Sequence, residues 1–256
     1  MIEVWTTNWL GLRALDGLRD TGVAHALVVW PTSASDAVDP AHADVVVYEP
    51  PEEPVAGGRM ILVAGWPKLI HTTQVPVIGF HPSPLPIGRG RAPIPHTILM
   101  GLTHSAVCLF RATAEADAGP IIVRREFPVG EQWTARDLYA EVGTQLRIAV
   151  RDWAEHGLPV LGREQDHARA TVWPRRTPAD SEIPPDADVD EAHRMVRALD
   201  GPYPAAFVQT PDGCQRLRSA GRIHRSKWAG AVQLDHDRLY APGGSFQVVR
   251  AKNGCS

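Results

Sequence analysis

The chain has 256 residues, 44% of them hydrophobic and 21% charged, with a formal net charge of -3. That is ordinary globular composition, long enough to bury one large core and a smaller one. The slight acidity offers no electrostatic footprint for nucleic acid, and no apolar run approaches the roughly 18 residues that a membrane span needs.

The opening stretch from Met1 to Trp9 lacks the basic and apolar regions of a signal peptide. Three widely separated cysteines, Cys108, Cys214 and Cys255, match neither a disulfide framework nor a metal-ligand spacing. The expectation is free thiols in a reducing compartment, in a cytoplasmic protein.

Valine-rich runs bounded by Gly, Pro or Asp predict strands at Ile2–Thr6, His25–Trp30, Asp44–Tyr48 and Met60–Ala64. Between the first two, Asn8–Asp20 predicts a helix, with Leu10, Leu15 and Leu18 on one side and Gly22 just past its end. Strand alternating with helix argues for a parallel sheet covered by helices. A further strand, Val75–Phe80, delivers a polar cluster beginning at His81 to its C-terminal end, where open α/β sheets place ligands.

A helix at Ala92–Met100 and strands at Ala106–Arg111 and Ile121–Phe127 follow. Thr134, with Asp137 three residues on, opens the clearest helix of the chain. Ala135, Leu138, Val142, Leu146, Ala149 and Trp153 recur on it at helical spacing, which is a core stripe. Pro174–Asp188, rich in Pro and Asp, reads as a linker or extended crossing.

A short helix near Glu191–Leu199 and strands at Phe207–Thr210 and Phe246–Arg250 then suggest a small β-rich domain, giving domains of 1–178 and 179–256. Arg216, Arg218, Arg222, Arg225 and Lys227 crowd together there, as a solvated strand face by default or as an anion-contacting patch.

The turn after the first strand reads Thr6-Thr7-Asn8-Trp9-Leu10-Gly11, with no G-x-G-x-x-G, so the dinucleotide phosphate cradle is missing. Neither a P-loop nor a G-x-S-x-G nucleophile elbow occurs. The informative segment runs from Gly79-Phe80-His81-Pro82-Ser83 through Pro84-Leu85-Pro86-Ile87-Gly88 to Arg89-Gly90-Arg91-Ala92-Pro93. It sets a histidine at a strand end, followed by a proline-stiffened loop.

Later comes Glu115-Ala116-Asp117-Ala118-Gly119-Pro120, an acid in a tight turn between two predicted strands. A carboxylate beside an imidazole fixes its orientation and favours its charged form. By spacing alone, an unremarkable His and Asp remain the commoner outcome.

These segments resemble the signature of the folate-dependent formyltransferases, methionyl-tRNA formyltransferase and the nucleotide-sugar N-formyltransferases among them. The match is carried by His81, Ser83, Leu85, Pro86, Arg89, Gly90, Ala92 and Pro93, then by Asp117, Gly119 and Pro120. Arg175-Arg176-Thr177-Pro178, Val196-Arg197-Ala198 and Tyr203-Pro204-Ala205-Ala206-Phe207 extend the likeness into the C-terminal part. The resemblance implies an α/β fold: a doubly wound, Rossmann-like formyltransferase domain followed by a small β-rich, OB-like domain.

It also implies that His81 is the catalytic imidazole and that Asp117 orients it. Ser83, Leu85 and Arg91 would line the folate site. Thr113, Glu115 and Ala116, with the Ala64-Gly65-Trp66 loop, would contact the pterin largely through backbone; a core or lid role for Trp66 is the alternative. The implied co-substrate is 10-formyltetrahydrofolate, with no metal. The implied partner is a small-molecule amine, such as a nucleotide-linked amino sugar or a natural-product intermediate, with membrane and nucleic acid not expected and a homodimer allowed.

One departure stands out, because the family's motif has Asn where this chain has Gly79. That Asn donates to the transferred formyl oxygen, and losing such a donor costs about 3 to 4 kcal/mol where it acts. Another donor could replace it. The group moved could instead be formimidoyl, or the protein could be a silent folate- or nucleotide-binding module. Methionyl-tRNA formyltransferase itself is a further alternative, poorly suited by the net charge.

Overall fold

The computed structural model describes residues 2–29, 45–47, 60–66 and 75–251. Trp30, Asp44 and Tyr48, at the ends of two expected strands, lie outside them, as does Cys255. In chain order the first strands are β1 (Ile2–Thr6), β2 (His25–Val29), β3 (Val45–Val47), β4 (Met60–Val63) and β5 (Val77–His81). They continue with β6 (Arg89–Gly90), β7 (His104–Arg111), β8 (Ile121–Pro128) and β9 (Val172–Trp173). The helices are α1 (Trp9–Arg19), α2 (Pro93–Leu99), α3 (Ala135–Glu155) and α4 (Val189–Ala198).

A seven-stranded sheet has the order β3-β2-β1-β4-β5-β7-β8. Its first five strands are parallel, while β7 pairs antiparallel with β5, aligning Gly79 with Phe110 and His81 with Cys108. The expectation of a parallel sheet therefore holds only up to β5. Alternating helix and strand does not encode the direction in which the chain re-enters a sheet. β1 is buried along its whole length, as a strand covered on both faces must be.

Asn8 caps α1, its side chain accepting from the Leu10 N–H at 3.0 Å. Leu10, Leu15 and Leu18 are buried as their spacing predicts. The α3 stripe from Ala135 to Trp153 is 0–1% exposed throughout. α1 meets α3 at a glycine: a Cβ on Gly17 would come within 2.5 Å of the Arg147 carbonyl. Arg147 then forms a two-point ion pair with Asp20, both contacts at 2.9 Å.

By internal packing the chain divides into two compact units, one of residues 1–93, 105–127 and 140–173, the other of residues 94–104, 128–139 and 174–256. The second holds a β-rich sheet built from β10 (Ala206–Thr210), β11 (Gly213–Ala220), β12 (His224–Arg225), β13 (Gln233–Asp235), β14 (Arg238–Ala241) and β15 (Gly244–Arg250). Its path runs β10-β11-β15-β14-β13, with β12 beside β15, and the end strands β10 and β13 approach each other as in a nearly closed barrel. α4 packs on β11, β14 and β15.

The Pro-rich crossing is integral to this unit rather than a free linker. Ile183 is 3% exposed, and its N–H donates to the Phe207 carbonyl.

The basic cluster is largely committed to local structure. Arg216 donates to the Ala205 carbonyl and lies over the Phe207 ring. Arg218 donates to the Gly201 carbonyl, and Arg225 forms a two-point pair with Asp190. The expectation of free thiols is corrected at Cys214, which is disulfide-bonded. Its strand, β11, lies between β10 and β15, with Cys214 opposite Gln209. Cys108 is free and buried, and burial pushes its thiol up to about 12. Among the described residues no helix is long and apolar enough to cross a membrane.

Candidate active site

His81 ends β5 and is 5% exposed. Its Nε2–H donates to the Gly88 carbonyl at 2.8 Å, and since a carbonyl only accepts, that nitrogen carries a proton. Nδ1 faces Asp117 Oδ2 at 3.5 Å, a contact that becomes an ion pair when the ring is charged. The same carboxylate oxygen accepts the Gly90 N–H at 2.9 Å. The structure thus brings together the two residues that the sequence singles out.

The loop between them is held by close packing. Gly88 and Gly90 have φ of +78° and +100°, a region open to glycine at little cost. A Cβ on Gly88 would strike the Trp173 ring at 2.5 Å, and one on Gly90 would strike the Trp173 carbonyl at the same distance. The Gly88 N–H donates to Thr171 Oγ1 at 2.9 Å, and β9 runs parallel to β6 beside the loop.

The residues expected to line a folate site fall in three places. Ser83 and Leu85 are both buried. The Ser83 hydroxyl turns back to the Ile87 carbonyl at 2.8 Å, while Leu85 packs with Ala106, Cys108 and Phe110. Arg91 has an exposed side chain and anchors its backbone N–H on the Trp173 carbonyl.

Thr113, Glu115 and Ala116 are exposed on the loop that carries Asp117. Thr113 Oγ1 donates to the Glu115 carbonyl at 3.1 Å, and Glu115 pairs with Arg89 at 3.2 Å. A cavity of about 370 Å³ is lined by Thr113 and Glu115 together with Arg111, Gly119, Glu164 and His167.

Ala64, Gly65 and Trp66 are tied instead to the β1–α1 turn. The Gly65 carbonyl accepts from Thr7 Oγ1 at 2.7 Å, and Ala64 is fully buried. Trp66 packs on Trp5, with ring centroids 5.3 Å apart, at the margin of a core cluster that includes Ile61, Val75 and Val77.

Gly79 carries the family's departure. A Cβ there would lie 2.4 Å from Phe110 Cζ, so the ring tip stands where a side chain at 79 would emerge. Two polar residues that the motif reading gave no role complete the site. Arg89 is 4% exposed and Gln165 is 5% exposed, and Gln165 Oε1 accepts both Arg89 Nε at 3.2 Å and Arg89 Nη2 at 2.9 Å. Arg89 belongs to the matched motif, but a lone Gln far along the chain gives no sequence signal. Among the described residues, no group of three or more His, Cys, Asp or Glu could hold a metal ion.

Residues 32–150 match the formyl transferase family model. Three solved structures show how far the whole fold is shared. Methionyl-tRNA formyltransferase from Clostridium thermocellum is 19% identical, with 98% of each chain covered and a TM-score of 0.65. The N-formyltransferase from Helicobacter canadensis, in complex with folinic acid and dTDP-3-aminofucose, is 14% identical over 98% of this chain and 99% of that one, at 0.75. HypX from Aquifex aeolicus, in complex with tetrahydrofolic acid, is 16% identical over 96% of this chain but 43% of that one, at 0.67.

Proposed function

We propose that the protein, whose residues 32–150 match the formyl transferase family model, moves a formyl group from 10-formyltetrahydrofolate to the primary amine of a small molecule. The contact between His81 Nδ1 and Asp117 Oδ2 carries this reading. In the transfer the amine forms a C–N bond to the formyl carbon, the carrier's C–N bond breaks, and the proton shed by the amine ends on the carrier nitrogen.

His81 manages that proton, and Asp117 stabilises the imidazolium that forms on the way. Because Nε2–H rests on the Gly88 carbonyl, the ring must exchange that bond for one to the reacting groups as the substrates seat. The acceptor is an amino sugar, nucleotide-linked as in the Helicobacter canadensis complex, or an amine of a natural-product intermediate. Ser83, Leu85, Arg91 and the 113–116 and 64–66 loops shape the folate site in this reading, the first two from within the core.

Formimidoyl transfer is a second reading, favoured by Gly79. With the Phe110 ring standing over it, residue 79 offers no side-chain donor to a formyl oxygen, and a protonated formimidoyl nitrogen needs none. Purified protein assayed with 10-formyl- and 5-formimidoyl-tetrahydrofolate against a panel of nucleotide amino sugars separates the two.

His81→Gln and Asp117→Asn should each lower turnover by about 10²- to 10⁴-fold while the melting temperature holds. The double variant should be little worse than either single one. Near wild-type kcat in either single variant refutes the assigned roles.

A further inference from the structure

Gln165 lies beyond α3, in the stretch leading to β9, and all of its polar atoms are spent inside the protein. Its Nε2 donates to two carbonyls, Asp117 O and Gly119 O, each at 2.7 Å, while its Oε1 takes both Arg89 hydrogen bonds. What it grips at one end is an unrelaxed turn. Asp117 has a φ of +55°, left-handed backbone that disfavours a residue with a Cβ and persists only where surroundings impose it. Gly119 beside it admits no side chain, because a Cβ would lie 1.7 Å from the Arg111 carbonyl.

At its other end Gln165 holds Arg89, whose two neighbours receive the catalytic pair. The Gly88 carbonyl takes His81 Nε2–H, and the Gly90 N–H meets Asp117 Oδ2. One buried amide therefore bridges the loop that orients the imidazole and the turn that carries the carboxylate.

We infer that Gln165 is a positioning residue that sets the separation and orientation of His81 and Asp117. Its catalytic consequence rests on the function proposed above; its effect on the pair does not. If the amide is removed, the Asp117 turn loses both bonds from Gln165 and can relax toward ordinary φ, carrying the carboxylate away from Nδ1. Arg89 loses two acceptors and keeps His167 Nδ1 at 3.3 Å and Glu115, which is largely exposed and a weaker anchor.

Two substitutions separate the ends of the bridge. Gln165→Met approximates the shape and removes every hydrogen bond. Gln165→Glu keeps an acceptor for Arg89 but faces the two carbonyls with oxygen.

The test follows the His81 ring by ¹⁵N NMR in ligand-free, histidine-labelled protein, assigned by its loss in His81→Gln, with Asp117→Asn setting the direction of change. Both Gln165 variants should move the Nδ1 signal in the Asp117→Asn direction. In the transfer assay kcat should fall about 10- to 100-fold, as expected when a reacting group is displaced by an ångström or less, with the amine KM changing far less.

If Gln165→Met does not fold, the Gln165→Glu protein supplies both readouts. A folded variant whose melting temperature drops while the His81 signals and kcat stay at wild-type values shows a structural residue only and overturns the inference. A wild type that transfers nothing from either carrier refutes the proposed function instead, and the NMR comparison still decides the role of Gln165.

Discussion

Acid should loosen the C-terminal unit through the imidazole of His193 on α4, with His96, whose pKa burial also lowers, adding in the same direction. The ring is 2% exposed. Its Nε2–H donates to the Gly221 carbonyl at 3.0 Å, and Nδ1 accepts from Arg197 Nε at 3.1 Å. A second proton would have to sit on the nitrogen that already faces a guanidinium N–H. Burial, and then the Arg197 charge, lower the pKa from 6.5 to about 4, partly opposed by the bond to the Gly221 carbonyl and by Asp190, with Arg194 adding a little to the depression.

In the unfolded chain the ring titrates near 6.5. Between that value and about 4 the unfolded state binds a proton that the native state refuses, so stability falls as pH falls. At 1.36 kcal/mol per unit the loss is about 2 kcal/mol by pH 5 and about 3 kcal/mol by pH 4, with nothing lost above pH 7. Asp190, lowered chiefly by Arg225, adds acid sensitivity only near and below the ordinary carboxylate range.

Urea unfolding followed at several pH values, in wild type and in His193→Gln, measures the difference. The variant should be less stable at neutral pH but lack this component of the acid slope. Parallel slopes from pH 7 to 4.5 would refute the reasoning.

Two further outcomes follow from the candidate site. Folinic acid, a stable stand-in for the carrier, should raise the melting temperature by mass action, by the equivalent of about 2.7 kcal/mol at a hundredfold excess over its Kd; no shift at millimolar ligand counts against any folate role. Gly79→Asn should destabilise by about 1 to 3 kcal/mol through overpacking against Phe110, and Phe110→Ala should relieve much of that cost when combined with it. Additive losses in a double-mutant cycle would show that the ring and residue 79 do not compete for the same space.

His81 and Asp117 were singled out by the family resemblance, because a histidine at a strand end and an acid in a tight turn are unremarkable by themselves; the structure adds that the two side chains meet. The α3 stripe and the Asn8 cap were legible from the residues alone, because helical periodicity and capping are local patterns. What stayed hidden depends on register and on long loops closing in space. That Phe110 would stand over Gly79 follows only from the antiparallel pairing of β7 with β5. Gln165 acts through carbonyls remote from it in sequence, and no residue pattern marks a bond to backbone oxygen. The Cys214 disulfide was missed as well, since spacing along the chain does not show which cysteines meet in space.

The interlock of Asn8 with Gly65 bears on where the phosphates of the proposed nucleotide-linked acceptor could go. In many doubly wound sheets the amides at the start of the first helix cradle a phosphate, helped by the helix dipole. Here the Asn8 carboxamide already takes the Leu10 amide and lies so close to Gly65 that a Cβ there would be 2.4 Å from its oxygen. The Thr6 hydroxyl in turn donates to the Asn8 carbonyl at 2.8 Å, tightening the same turn. That end of the sheet is plugged by its own side chains, so a nucleotide-linked acceptor of the proposed kind would have to set its phosphates against positive charge elsewhere on the protein.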